Sequence, residues 1–534
     1  MAADANASSD ANASSDAKPG SAVEMVELKA AQEGNRLALA QAMGSEEFLA
    51  AEKALKRKLD MRLLASVWLI FVLNYLDRNN IAAAKVAGLA DSLKLTAAQY
   101  ATAVAILFVG YVLMQIPSNI FLAQLRPSLY LPACMAAWGL LSTLTGVVHN
   151  AAGLYACRFF LGFVEAAFYR KQRPTFLTGS VMINSYFSAG ALFLISSWYR
   201  RSEMGLRSAI LFSATQLGSA FSGLIGAGIQ SGLEGARGLE SWRWLFIIEG
   251  SITIFVAICT CVILPDWPTT TRWLSPTERS VAEWRLIQDA GQVDEDDENW
   301  SHGFKLAFKD WRLYIFAGMF FCLQVAAATS NFFPSVVQTL GYNRTNTLLL
   351  TAPPYILGLM ISISNNWSAD RLKNSSFHVM WPLALAIIGF VVAAATLQVG
   401  PRYFAMMLMV GGGHGANAVV LAWTQKTMLR PRIKRAAAVA FVNAFGNISQ
   451  VWTSYLYPDT DKPRYVLAMS VNSAFALGTI ILALVMRIVL QRANKKLDSG
   501  ADVADVMKGE AQAEISGVTE EERQAQKAAF RFIT

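Results

Sequence analysis

Charge is what this chain holds least of. Only 16% of its 534 residues are Asp, Glu, Lys or Arg, against 54% hydrophobic, which excludes an ordinary soluble domain. The five cysteines, Cys134, Cys157, Cys259, Cys261 and Cys322, all fall in apolar runs, where a reduced, packed thiol is the ordinary state. No metal cluster, nucleophile–base pair or phosphate-binding loop stands out, so no metal, cofactor or enzymatic activity is expected. A signal peptide is missing as well. The stretch DANASSDANASSD near the start is a polar repeat without an apolar core, so residues 1–60 are expected to be a disordered tail and the first apolar run an uncleaved membrane signal. The end of that tail, Ser45 to Leu59, also has the composition of an amphipathic helix with basic residues toward a membrane surface; a solvated tail is the alternative.

What the chain has in abundance is apolar length. Twelve runs are long enough to cross a bilayer, the first at 62–83 and the last at 465–488, as about 20 apolar residues do. A polar loop, 265–312, carries the acidic run DEDDE and divides them into 61–264 and 313–490. A second tail follows at 491–534. With the N-terminus inside, the inner segments hold more than twice the Lys and Arg of the outer ones, leaving aside the long loop and one segment treated below. Short cytoplasmic loops carry that excess, so both termini are expected in the cytoplasm. The net charge of +8 then reflects topology and needs no nucleic-acid partner.

The few polar residues inside the runs are the informative ones. In FVLNYLDRNNIAAAKVAG, residues 71–88, Asp77 and Arg78 lie in the first span. An ionisable residue at a helix centre costs about 2.5–3.5 kcal/mol on insertion scales, so a functional role is the default reading. At helical spacing Asn74, Asp77, Arg78 and Ile81 share one face, which aims them into one protein-lined cavity. The alternative is an Asp–Arg pair that neutralises itself at the helix end. In the fourth span Arg158, Gly162 and Glu165 share a face, and Glu165 is a carboxyl able to bind and release a proton; a permanent pair with Arg158 is the alternative. The second half buries neutral groups instead: Gln324 and Asn331, Asn365 and Asn366, His414 and Asn417, then Asn443, Asn447 and Gln450. Amides either orient a polar solute or hold helices together.

The segments NYLDRNNI (74–81), RFFLGFVEA (158–166), LFLISSWY (192–199), WRWLFIIEG (242–250), SADRLKNSSFH (368–378) and AFVNAFGN (440–447) together resemble the anion:cation symporter branch of the major facilitator superfamily. The likeness is to its fungal allantoate-permease-like group, over residues 55–498. It implies an all-α membrane protein of twelve transmembrane helices in two six-helix bundles, working by alternating access. It also implies that Arg78 meets a substrate carboxylate and that Asp77 and Glu165 couple protons. The turn after the second span lacks the acidic residue usual in the superfamily, while the turn after the eighth keeps Asp370 and Arg371, which implies asymmetric gating, with Arg158 as a structural group.

One segment departs from that pattern. Between EAAFY and GALFLISSWY a single residue, usually Pro, is expected, and the chain has RKQRPTFLTGSVMINSYFSA, residues 170–189. It sets Arg170, Lys171 and Arg173 directly after a membrane half-helix, a costly place for three cations. Arg-Lys at 170–171 is compatible with a GTAAG splice donor, Leu-Thr at 177–178 with a branch site, and Phe-Ser-Ala at 187–189 with a CAG acceptor. Removing that stretch keeps the frame and leaves one proline codon. The segment therefore reads as a translated intron, with a genuine inserted loop as the alternative.

These observations combine into an expected function. It is a plasma-membrane, proton-coupled importer of a small organic anion, such as a carboxylate, vitamin or ureide, working as a monomer in the lipid bilayer. Arg78, Asn74, Gln324, Asn331, Asn443 and Asn447 line the expected pocket. Export of a carboxylated secondary metabolite is the alternative within transport, and a non-transporting nutrient receptor is the alternative outside it.

Overall fold

The computed structural model describes residues 45–121, 127–166, 194–195, 197–268, 270–271, 273–290, 300–428, 432–499 and 532–533. Among them there are helices and no strands. Twelve long helices follow one another: α1 (Ala65–Val86), α2 (Ala97–Phe121), α3 (Pro127–Thr145), α4 (Ala151–Ala166), α5 (Arg201–Gly232), α6 (Ser241–Ile263), α7 (Trp311–Ala326), α8 (Ala352–Leu372), α9 (Ser375–Ala395), α10 (Val399–Thr427), α11 (Arg432–Thr453) and α12 (Val466–Asp498). Ten described stretches are long and apolar enough to cross a bilayer. The other two are α4, which ends at the edge of the described residues, and α11, which opens with cations and carries Asn443, Asn447 and Gln450.

Helix pairing shows the internal repeat. In the first half α1 packs on α5 and α6, α2 on α4, and α3 on α6; in the second α7 packs on α11 and α12, α8 on α10, and α9 on α12. Each pairing reappears six helices later. The halves meet through α2 against α11 and α5 against α8, contacts that the same exchange maps onto each other. Small residues make such crossings close, as expected where lipid supplies no hydrophobic drive between helices. A Cβ at Gly162 would stand 1.9 Å from the Leu107 carbonyl oxygen, and one at Gly110 would stand 2.3 Å from that of Phe159. The α2–α4 crossing therefore requires glycine at both places. Outward faces carry exposed apolar side chains such as Phe255, Ile258 and Val262, the surface that lipid covers. Cys261, expected to be packed, is exposed on that same outer face of α6.

The expected tail 1–60 is ordered at its end. Ser45–Leu59 is a helix that runs without a break through a π-turn, Asp60–Leu64, into α1. Leu55, Leu59 and Leu63 recur every fourth residue and are fully buried, against a second helix, Pro276–Ala290, from the long loop. Charges hold the two together: Glu52 faces Lys56, Arg200 and Arg285, while Glu203 faces Lys56 and Arg285 and Lys58 bonds Glu278. Burial works against the Glu203 carboxylate, but the hydrogen bond from Lys56 and the charge of Arg285 hold its carboxyl below the usual range. Of the two readings of Ser45–Leu59 the helix is the one observed; its packing partners, in Pro276–Ala290, lie more than two hundred residues away in sequence. Residues 1–44, the acidic run, the turn after α2 and the segment 170–189 lie outside the described residues.

Candidate functional site

Consecutive helix positions point about 100° apart, and in α1 this separates Asp77 from Arg78. Arg78 turns to α4, where its Nε and Nη2 donate to Glu165 Oε2 at 3.1 and 2.7 Å. The pair is buried, Arg78 at 9% and Glu165 at 1% exposure. Three rings surround the guanidinium, Tyr75, Phe108 and Tyr111, at 5.7, 5.6 and 5.1 Å from their centroids, within cation–π range. Arg158 does not pair with Glu165. Its Nη2 donates to the Arg78 carbonyl at 3.3 Å and its Nε to the Ala103 carbonyl at 3.5 Å, so it ties α4 to α1 and α2. The close α2–α4 crossing at Gly110 and Gly162 brings these groups together.

Asp77 faces the other way. Its carboxylate accepts from Ser142 Oγ of α3 at 2.7 Å and from Thr253 Oγ1 of α6 at 2.9 Å, with no exposed surface. The single polar face expected for Asn74, Asp77, Arg78 and Ile81 is thus divided. Asn74 is half-buried, and Ile81 is buried in the apolar core.

The second half presents its amides as a chain. Helix α7 stops at Ala326 and continues as a 3-10 stretch, Ala327–Phe332, and a short helix, Phe333–Gln338. Interrupted membrane helices are common at transport sites, and this one touches α1. Asn417 Nδ2 donates to Gln324 Oε1 at 3.4 Å, Gln324 Nε2 to Asn447 Oδ1 at 3.5 Å, and Asn447 Nδ2 to Asn443 Oδ1 at 3.2 Å. Asn331 Nδ2 donates to Gln450 Oε1 at 2.7 Å, and Gln450 Nε2 to the Gln324 carbonyl at 2.9 Å. All the expected second-half ligands therefore belong to one connected network. Beside it a small cavity is lined by Thr329, Ser330, Met409 and His414. Asn365 acts as helix glue, donating to the His378 carbonyl of α9 and the Gly415 carbonyl of α10, while Asn366 donates to the Ser362 carbonyl one turn back in α8 itself. Asp370 pairs with Lys426 of α10 at 2.5 Å, and Arg371 lies over the Trp367 ring at 5.3 Å. Both contacts stay inside the second half, so neither bridges the two bundles.

The bundles touch at the end away from the leading helix. There Thr102 and Tyr455 hydroxyls lie 2.9 Å apart, Lys85 pairs with Asp459 at 3.7 Å, and a Cβ at Gly223 would stand 2.1 Å from Thr351 Oγ1. Sequence reasoning missed two features of this region. The ring of aromatics around Arg78 has no local signature, because Phe108 and Tyr111 come from another helix. Glu249 does have one: it is a lone acid inside the apolar run SWRWLFIIEGSITIFV, as anomalous as Asp77, and it is 1% exposed.

The model of the Major Facilitator Superfamily matches residues 176–454. Among curated relatives, "MFS-type transporter cnsO" of Penicillium expansum is 31% identical over 499 residues, 91% of each chain. "Major facilitator-type transporter hxnP" of Emericella nidulans is 30% identical over 458 residues, covering 84% of this chain and 88% of that one. Among solved structures, a bacterial homologue of the human lysosomal transporter Spinster, inward-facing and unoccupied, superposes with a TM-score of 0.60 at 14% identity, over 79% of this chain and 94% of its own. The proton:xylose symporter XylE gives 0.57 at 15% identity, over 80% and 96%. At such identities the solved structures speak for the fold. The family model and the curated relatives identify the chain as a member of the major facilitator superfamily, a multi-pass membrane transporter and not an enzyme.

Proposed function

We propose that the protein imports a small organic anion together with protons, and that Arg78 and Glu165 perform the exchange. The observation that carries this reading is the geometry of their pair. Two of the guanidinium N–H groups, on Nε and Nη2, go to one carboxylate oxygen, and Glu165 Oε1 has no hydrogen-bond partner among the described residues. A substrate carboxylate offering two oxygens in the plane of the guanidinium competes well for such a site. Once displaced, Glu165 is a buried carboxylate without a cation, a costly state that a proton relieves. Loss of the substrate reverses both steps: Glu165 gives up the proton and pairs with Arg78 again.

Asn74 and the amides Gln324, Asn331, Asn443 and Asn447 orient the rest of the solute. They recognise polar groups without adding charge, which suits a pocket whose charge is already balanced by Arg78. Arg158 keeps a structural role, and Asp370 and Arg371 hold the near end of the second half. In this reading the leading helix lies in the cytoplasm, the protein works as a monomer in the plasma membrane, and the bundle contacts at Thr102, Lys85 and Gly223 close the outer side.

Uptake into liposomes from an acid exterior tests the reading, with a panel of labelled vitamins, ureides, sugar acids and aromatic acids. Arg78→Ala is expected to abolish uptake while the protein still inserts and folds; normal uptake sinks the assignment. Glu165→Gln is expected to keep solute exchange and lose pH-driven accumulation, and accumulation that persists removes Glu165 from coupling. Efflux without uptake reverses the direction, and binding without flux makes the protein a receptor.

A further inference from the structure

The first half buries a second carboxyl that the exchange at Arg78 does not use. Glu249 lies at mid-length in α6, 1% exposed, and neither of its oxygens has a hydrogen-bond partner among the described residues. Asn80 stands near it without a bond of ordinary length, its Nδ2 also unbonded and its Oδ1 accepting from Ser222 at 3.2 Å. Asp77 of α1 lies on the same face of α6, where it accepts from Thr253, one turn beyond Glu249, at 2.9 Å.

Among the described residues no cation pairs with Glu249. Helix α3 faces the site with Ser142 and Trp138 and carries no charged residue. Helix α5 has its charges, Arg201, Glu203 and Arg207, in its first two turns. On α6 itself Arg243 lies near the helix start, bonded to the Gly146 and Val148 carbonyls. From α4, Arg158 and Glu165 act on Asp77 from the Arg78 side. Two carboxylates facing each other in such a place cannot both stay charged, because burying an unpaired charge costs several kcal/mol. At the neighbouring position a Cβ on Gly250 would stand 2.6 Å from the Gly139 carbonyl oxygen and 2.3 Å from Thr143 Oγ1, so α3 and α6 are in backbone contact. A proton on one of the two carboxyls relieves their repulsion without any further ligand.

We propose that Glu249 and Asp77 form a second proton-binding site in the first half, behind Arg78, on which Glu249 carries the proton while the outer contacts are closed. Asp77 keeps its two hydroxyl donors and holds the negative charge, and Glu249 is the neutral acid. Because Asp77 adjoins Arg78 in the same helix, any turn of α1 that moves Arg78 also moves Asp77 relative to Glu249. The use of this site in transport rests on the import reading; its existence does not.

Infrared difference spectroscopy on the full-length protein in liposomes, in H2O and D2O, reads a buried carboxylic acid through its C=O stretch and needs no solute. Wild type is expected to show that band at neutral pH, Glu249→Gln to lose it, and Arg78→Ala to keep it. A band unchanged in Glu249→Gln overturns the proposal. Should Glu249→Gln fail to fold, Asp77→Asn serves instead: interacting sites titrate together, so the proton affinity read from the band is expected to change by roughly tenfold or more. An unchanged affinity overturns the pairing. Absence of uptake in the wild type, with the band present, counts against the import reading alone.

Discussion

The two bundles repeat one another helix for helix and differ in what they bury. Pairings α1–α5, α2–α4 and α3–α6 recur as α7–α11, α8–α10 and α9–α12. Yet the first half places Asp77, Arg78, Arg158, Glu165 and Glu249 inside its helices, whereas the second places Gln324, Asn365, Asn443, Asn447 and Gln450 there and keeps its buried cations Arg312, Arg402 and Lys434 at helix starts. The difference assigns different work to equivalent frames. A buried ion pair cannot be opened without a new partner or a proton, so the first half is suited to coupling. A chain of amides rearranges without separating charge, so the second half is suited to recognition.

The largest test of the repeat is covalent. Helix α10 is unbroken over 29 residues, Val399–Thr427, while its counterpart α4 is described over 16, Ala151–Ala166. If residues 170–189 are a translated intron, the working chain joins Tyr169 through one proline to Gly190 and α4 regains the length of its counterpart. Sequencing cDNA across codons 160–200 is expected to show the shorter message, and only that form is expected to transport. Retention of the segment in every transcript would break the repeat at the helix that holds Glu165.

Next in size is the Arg78–Glu165 pair. Replacing Arg78 by Lys keeps the charge and removes the planar fork, which is not a conservative change at a two-point contact. Uptake is expected to fall roughly a hundredfold, about 2.8 kcal/mol, in line with the about 1.5–3 kcal/mol that a hydrogen bond to a charged group is worth. A loss below about threefold would mean that charge alone suffices, and the recognition of a planar carboxylate would have to be given up.

Much of this was legible in the sequence, and the gaps have physical causes. Apolar length and cation bias suffice for the number of helices and the two halves, because a bilayer leaves few alternatives for an apolar run. The rule that intramembrane charges are functional finds Asp77, Arg78 and Glu165, and applied evenly it also finds Glu249. What it does not find is partners. A shared helix face is a broad criterion, and Asp77 and Arg78 fall on its two edges, one toward Ser142 and Thr253 and the other toward Glu165. The break in α7 is equally silent, since AATSNF reads as continuous with the apolar run before it.

Two acids near the starts of α1 and α7 sharpen the comparison at smaller scale. Asp60, before α1, bonds Arg207 at the start of α5 at 2.9 and 3.1 Å; Asp310, before α7, bonds Arg312 at 2.6 Å and Lys434 at the start of α11 at 2.9 Å. The acids hold equivalent places, but the Asp60 side chain is 42% exposed and that of Asp310 is 7%. Burial opposes the Asp310 carboxylate, yet Arg312 and Lys434 hold its carboxyl below the usual range. A depressed acid stabilises the fold above its unfolded value, about 4, and that contribution is lost as pH falls through the lower folded value. Asp310→Asn is expected to cost about 2–4 kcal/mol, since it removes a helix cap and a buried pair, and Asp60→Asn about 0–1 kcal/mol. Thermal melts at pH 7 are expected to show the larger fall for Asp310→Asn, and melts of wild type and Asp310→Asn to converge on acidification. Equal losses at pH 7 would mean that depth does not decide the worth of these pairs.

The smallest effect belongs to the amides, and it separates recognition from coupling. Asn447 accepts from Gln324 at 3.5 Å and donates to Asn443 at 3.2 Å, long bonds that a solute's own polar groups replace without loss. Asn447→Ala is expected to cost about 1 kcal/mol of solute affinity, the net worth of one neutral hydrogen bond, which is roughly a fivefold rise in KM. The dependence of accumulation on the pH gradient is expected to stay as in wild type, because no proton-carrying group is touched. A change in that dependence with KM unaltered would place coupling in the second half as well, and the division of labour drawn from the buried charges would fail at the residue where it is easiest to measure.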